Sequence, residues 1–208
     1  MISKNGFFKI VFALIMPIFA SGCANIVSQS TPTEFYRLID ATDQQLALKA
    51  MSFSDDIQIG VGPITIPGYA DRPQIVSSGS GGRLMVDDFN HWAEPVQENI
   101  ERIMVSNISS LLSEKQVFHY PANFHPAPSS IQVAVEIREM IRDESGAVFL
   151  SASWNVKRML DNKLLVRNAV KYKSSQSASG FSEYTLALSA LFGKLSSDIM
   201  QSVHSVSN

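Results

Sequence analysis

A chain of 208 residues, 45% of them apolar, can bury one sizeable core and has the length of a single domain. Its 17 basic and 19 acidic residues leave a net charge of −2, which argues against a nucleic-acid partner. One cysteine, Cys23, excludes a disulfide framework and a thiolate metal site, and no thiol nucleophile exists beyond it.

Lys4 and Lys9 lead into an apolar run from Ile10 to Ala20, followed by Ser21-Gly22-Cys23. A short positive region, an apolar stretch and small residues before a cut site make a secretory signal peptide. The run is shorter than the roughly 20 residues that span a bilayer. In an exported protein an odd thiol is a liability unless it is capped or paired. Small residues running straight into a lone cysteine resemble a bacterial lipobox, although Ala20 stands where leucine is commoner. That resemblance implies cleavage before Cys23 and acylation of its thiol and of the new amine. Residues 1–22 are then the lipoprotein signal peptide, 23–33 an acylated flexible tether, and 34–206 one α+β domain. The cut leaves 186 residues and a charge of about −4, because Lys4 and Lys9 depart. Ala24 after the cysteine implies, by the same likeness, the outer membrane, with the protein facing the periplasm.

The tether (Asn25 to Thr33) is polar, holds one proline and has too little apolar surface to offset its ordering entropy. Phe35-Tyr36-Arg37-Leu38 then begins a short strand, and Gln44 to Ala50 is weakly helical or loop. Ile57 to Gly62 alternates as a half-buried strand does, Pro63 places an edge or a bulge there, and Ile64 and Ile66 resume it. Gln74-Ile75-Val76 pairs with Leu84-Met85-Val86 across a serine-glycine link, Ser77 to Gly82, which reads as a mobile hairpin tip. Pro95 suits the first turn of a helix. Val96, Ile100, Ile103, Met104, Ile108, Leu111 and Leu112 predict that helix over 95–113. Val117 to Tyr120 is a short strand. Three long strands follow, with Ile131 to Ile137, Val148 to Val156 and Leu164 to Tyr172 alternating in an antiparallel meander; turns fall at Asp143 to Gly146 and at Asp161-Asn162. A last helix runs from about Phe181 to Val203. The predicted class is α+β: two layers, with a largely antiparallel sheet carrying two amphipathic helices on one face.

Chemistry is sparse. His91, His119, His125 and His204 share no metal-ligand spacing, and His91 reads as a solvated residue at the helix start rather than a binding residue. Asp87 and Asp88 read as favouring the positive end of that helix rather than as an acid–base pair. Asp55 and Asp56 read as the polar edge of a strand. Neither a nucleophile elbow nor a phosphate-cradling loop occurs. No cofactor, metal or catalytic set is expected, and the chain reads as a non-enzyme. Lys157, Arg158, Lys163, Arg167, Lys171 and Lys173 fall on the last two strands, as a solvated sheet face or as a contact for an acidic partner or lipid headgroups.

One pattern is more specific. Val61-Gly62-Pro63-Ile64-Thr65-Ile66-Pro67-Gly68-Tyr69-Ala70-Asp71-Arg72-Pro73-Gln74-Ile75-Val76 is followed by Trp92-Ala93-Glu94-Pro95, with Phe35 to Leu38 upstream. Together these resemble the ABC-type transport auxiliary lipoprotein family, to which the lipoprotein of the paraquat-inducible operon belongs. The resemblance implies a non-catalytic component of an intermembrane lipid-transport system. It would dock a periplasmic MCE-domain protein of a paraquat-inducible-type system to the outer membrane, itself held there by acylated Cys23. It also implies helices against a sheet, and the partner's rings suggest a homo-oligomeric ring for this chain too. The prolines and glycines of the motif read as bending and ending a strand. Asp71 and Arg72 are expected to pair across the turn, and Trp92 to pack into the core. Tyr69, Asp71 and Arg72 are the candidate partner contacts, Tyr69 and Arg72 being of types enriched at interfaces. The alternative is a periplasmic carrier holding a lipid between sheet and helices, which needs a cavity of roughly 300 Å³ or more.

Overall fold

The computed structural model describes residues 31–207, apart from 47, 50, 52, 54–56 and 113–115. The chain divides into two units, Met1–Pro32 and Thr33–Asn208, and every element below lies in the second. The expected signal peptide, Cys23, the tether up to residue 30 and Asp55-Asp56 lie outside the described residues.

The described elements are β1 (Glu34–Tyr36), β2 (Ile59–Thr65), β3 (Gln74–Ser78), β4 (Leu84–Trp92), α1 (Val96–Leu111), β5 (Val117–His119), β6 (Ile131–Arg142), β7 (Val148–Arg158), β8 (Leu164–Lys173) and α2 (Phe181–Ser207). The class is α+β, as expected. The expected single, largely antiparallel sheet is corrected to two mixed sheets, ordered β1-β4-β3 and β5-β2-β6-β7-β8. β2 runs parallel to both β5 and β6, and β1 parallel to β4. The β3–β4 hairpin and the β6–β7–β8 meander are antiparallel. Parallel neighbours need long crossovers, and here the chain between β2 and its partners holds the hairpin and α1. A period-2 pattern carries no information about strand direction, so that part was not legible.

α1 packs over β2 and β5, α2 packs over β6, β7 and β8, and the two helices pack on each other. β6 turns Ile131, Val133, Val135 and Ile137 into this layer, while Glu136 and Arg138 stay exposed. From the helices come Ile100, Met104, Ile108, Phe192, Leu195 and Ile199, all essentially without exposure. The opposite face of the sheet is polar, and several of its charged groups meet partners within the chain. Lys171 pairs with Glu139 at 2.8 Å, Arg167 Nε donates to Asn155, and Glu136 accepts from Arg138 and Ser153.

Backbone 38–41 belongs to no sheet, yet Leu38 and Ala41 are each 1% exposed. Side chains from the helices replace the missing ladder. Asn99 accepts from Leu38 N (2.7 Å) and donates to Leu38 O (3.1 Å), Asn107 accepts from Ala41 N (2.7 Å), and Ser189 accepts from Ile39 N (3.1 Å). Buried amides left unpaired cost about 1–3 kcal/mol each, so these polar residues belong in an otherwise apolar layer. α2 passes close beside this segment: a Cβ on Gly193 would meet the Ala41 side chain at 3.5 Å, ordinary contact.

Asp87 and Asp88 lie in β4, not at a helix start, which corrects the capping expectation. Between the pairs Val76↔Val86 and Gln74↔His91, β4 carries more residues than β3, and the excess forms a bulge. Asp87 closes it by accepting from Phe89 N, Asn90 N and Asn90 Nδ2 at 2.8–2.9 Å. Burial acts to raise its pKa, but these hydrogen bonds outweigh it and hold the carboxyl below the ordinary range. The Ser-Gly hairpin tip is fastened at Ser80, whose amide donates to Glu144 at 3.0 Å.

Candidate functional site

The two motif segments, far apart in sequence, come together at one surface. β2 ends at Thr65, opposite Glu136 of β6, and β6 runs on for six residues more. Its unpaired edge there is satisfied by tyrosines: Met140 N donates to the Tyr69 hydroxyl (3.0 Å), and the buried Tyr184 hydroxyl lies 3.4 Å from Met140 O. Burial pushes the Tyr69 phenol above its ordinary pKa, so it stays protonated.

Tyr69 is thus half-buried and packs on the core, beside Ala70 at 5% exposure. A turn closed by Ala70 N to Pro67 O (2.9 Å) and a bond from Arg72 N to Ala70 O (2.9 Å) fold the chain back, and Pro73 O then accepts from Trp92 N (2.7 Å). This last bond joins the motif segments directly. Trp92 packs into the core, as expected, its ring 6.3 Å from that of Tyr184. Pro95 precedes the first helical residue, Val96, and accepts from Asn99 N at 3.1 Å.

Asp71 and Arg72 are exposed on the pinned loop. They do not pair with each other: Arg72 Nε donates to Gln74 Oε1 at 3.3 Å, and Asp71 has no ion pair among the described residues. Opposite them Glu94 is held by Arg102. Between the segments lies a groove of about 410 Å³ lined by Asp71, Arg72, Pro73, Trp92, Glu94 and Pro95, with Trp92 buried and Asp71 and Arg72 exposed at its edge. Sequence reasoning put forward Asp71 and Arg72 but not Glu94 or Pro95. Both stand in the motif, and only the Trp92–Pro73 bond brings them across the groove.

Among the described residues no group of three or more histidine, cysteine or acidic side chains is placed to hold a metal ion. Likewise among these residues, no helix is long and apolar enough to cross a membrane. His91 faces Phe35 edge-on at 6.0 Å, and His204 packs on Phe53 at 5.2 Å.

The family described as ABC-type transport auxiliary lipoprotein component matches residues 36–200. No curated protein matches the chain. Among solved structures, the crystal structure of an uncharacterized protein is 17% identical, with a TM-score of 0.65 over 83% of this chain and 99% of that one. Protein XCC0632 from Xanthomonas campestris is 15% identical, with a TM-score of 0.60 over 80% of this chain and 92% of that one. These two likenesses carry the fold. The family match spans both motif segments and runs from the last residue of β1 into α2, and the chain therefore belongs to the ABC-type transport auxiliary lipoprotein components.

Proposed function

We propose that this protein is a non-catalytic lipoprotein of the outer membrane, anchored through acylated Cys23, that docks a periplasmic MCE-domain protein of a lipid-transport system. The observation that carries the reading is the meeting of the two motif segments in one groove, with an unpaired carboxylate and an exposed guanidinium at its rim. Asp71 and Arg72 touch the partner, and Tyr69 fixes the loop that presents them. A homo-oligomeric ring would repeat this groove around an axis and match a ring-shaped partner. The carrier alternative lacks support, because the layer between sheet and helices is filled by Ile100, Met104, Val133, Trp154 and Phe192, each at most 2% exposed.

A photo-crosslinking residue at position 93, in the lining of the groove, tests the reading in the membrane-anchored protein. An adduct with an MCE-domain protein is expected, and Asp71→Lys together with Arg72→Glu should cut its yield roughly tenfold, the loss expected when two rim charges become repulsive. Crosslinks to other proteins alone, or a yield indifferent to the charge reversal, overturn it.

A further inference from the structure

The three-stranded sheet has one face in the core; its other face is covered at Val76, which is 6% exposed, and partly open elsewhere. Tyr36, Ile75 and Trp92 point inward. Cross-strand partners share a face. Phe35, His91 and Gln74 form one row on the outer face, and Val76 with Val86 and Ser78 with Leu84 continue it along the hairpin. On this face Phe35 is 65% exposed, Leu84 44% and Val86 42%, and Phe89 in the bulge is 45% exposed. None of these four packs against the core cluster. Isolated exposed apolar residues are ordinary, but four brought together by one small sheet are an unpartnered surface.

What covers it follows from where the chain is tied. The outer face begins at β1, the first strand after the expected anchor, and ten residues, 24–33, separate Cys23 from Glu34. Fully extended they reach roughly 35 Å. With Cys23 anchored, the strand that carries Phe35 stays within that reach of the leaflet. We propose that the outer face of β1-β4-β3 rests on that lipid leaflet, with Phe35, Leu84, Val86 and Phe89 entering the headgroup boundary. The proposal rests on the anchored reading above.

The surrounding charge does not make this an electrostatic contact. Arg37, Arg72 and Arg83 are exposed around the sheet. Against them stand Glu34, which receives the Tyr36 hydroxyl, Asp87, which closes the bulge, and exposed Asp88. The signs nearly cancel, so the attraction is apolar and tolerates salt. Acyl chains supply the affinity, and the sheet supplies orientation. Because the groove starts at the Pro73–Trp92 end of β3 and β4, this contact also sets the orientation of the groove relative to the leaflet.

The test uses the mature chain, residues 23–208, carrying Cys23→Ser and floated with vesicles of phosphatidylethanolamine and phosphatidylglycerol. Partition into the vesicle fraction is expected, little changed between low and high salt. The triple variant Phe35→Ser, Leu84→Ser, Phe89→Ser should lower it roughly tenfold or more, as expected when exposed apolar area is removed. A control variant, Leu160→Ser with Leu164→Ser, removes apolar residues that are 67% and 48% exposed at the β7–β8 turn and should leave partition unchanged. A denaturation midpoint close to that of the Cys23→Ser parent shows the triple variant folded. Failure to float, flotation indifferent to the triple variant, or equal loss in the control overturns the proposal. So does self-association that the triple variant abolishes, which would place a second copy on this face. Mass spectrometry of the Cys23 peptide from the native host tests the anchor separately: a bare thiol removes the anchored reading without altering what the Cys23→Ser flotation measures.

Discussion

The two sheets differ in what their apolar residues do. In β5-β2-β6-β7-β8, alternation separates a face covered by helices from a face of paired charges and polar groups, and side chains such as Val133, Leu150 and Ala152 have no exposure. In β1-β4-β3 the residues Leu84, Met85 and Val86 run in sequence like a buried strand, yet all three are exposed. A continuous apolar run therefore marks a core only where a second layer exists to cover it. The larger sheet carries stability; the smaller one is free to carry contacts.

The sharpest way to break this contrast is at the joint of β2 and β5. Gly62 has φ +134°, and a Cβ there would stand 2.1 Å from the Tyr120 carbonyl oxygen. Neither backbone can give way cheaply, since Val61 O accepts from Tyr120 N at 2.9 Å and Gly62 O accepts from Gln132 at 2.9 Å. Gly62→Ala should destabilise by more than about 4 kcal/mol, with loss of the folded state in urea titration at the parent's midpoint. A mild effect would mean that the large sheet does not govern stability.

The helix layer gives the next largest effect and a graded one. Asn99 makes two bonds to the Leu38 backbone, whereas Asn107 makes one to Ala41 and leaves its Nδ2 buried without a partner. Replacing either by alanine strands a buried amide. Asn99→Ala should cost about 2–3 kcal/mol and Asn107→Ala about 1 kcal/mol, read from denaturant midpoints. Equal costs would show that segment 38–41 is held by packing alone.

Much of the covered layer was legible in the sequence. α1 needs apolar residues every three to four positions and has them, the meander alternates, and Asn162 takes φ 55° in its turn as expected. Asn99 and Asn107 were not foreseen, because on a helix they read as surface positions and only the passage of chain 38–41 between the helices makes them core. The groove was half legible. The motif marked its residues, but Asp71 and Arg72 were expected to pair, and the structure instead gives Arg72 to Gln74. Asp87 was misplaced because a bulge long enough to need a carboxylate to close it leaves no periodic trace.

The smallest effect is the most diagnostic of the contrast. A fully buried leucine such as Leu150 loses about 2–5 kcal/mol on truncation to alanine. Leu84 occupies a strand of similar character but is 44% exposed, with Ser78 as its cross-strand partner. Leu84→Ala should shift stability by no more than about 0.5 kcal/mol in denaturant unfolding of the protein in solution. A loss near that of a core leucine would mean that the outer face is covered in solution and is not a free surface, and the leaflet contact would fall with it. A near-zero loss leaves a leucine kept at an exposed strand position without a role in folding, which is the pattern a surface of contact requires.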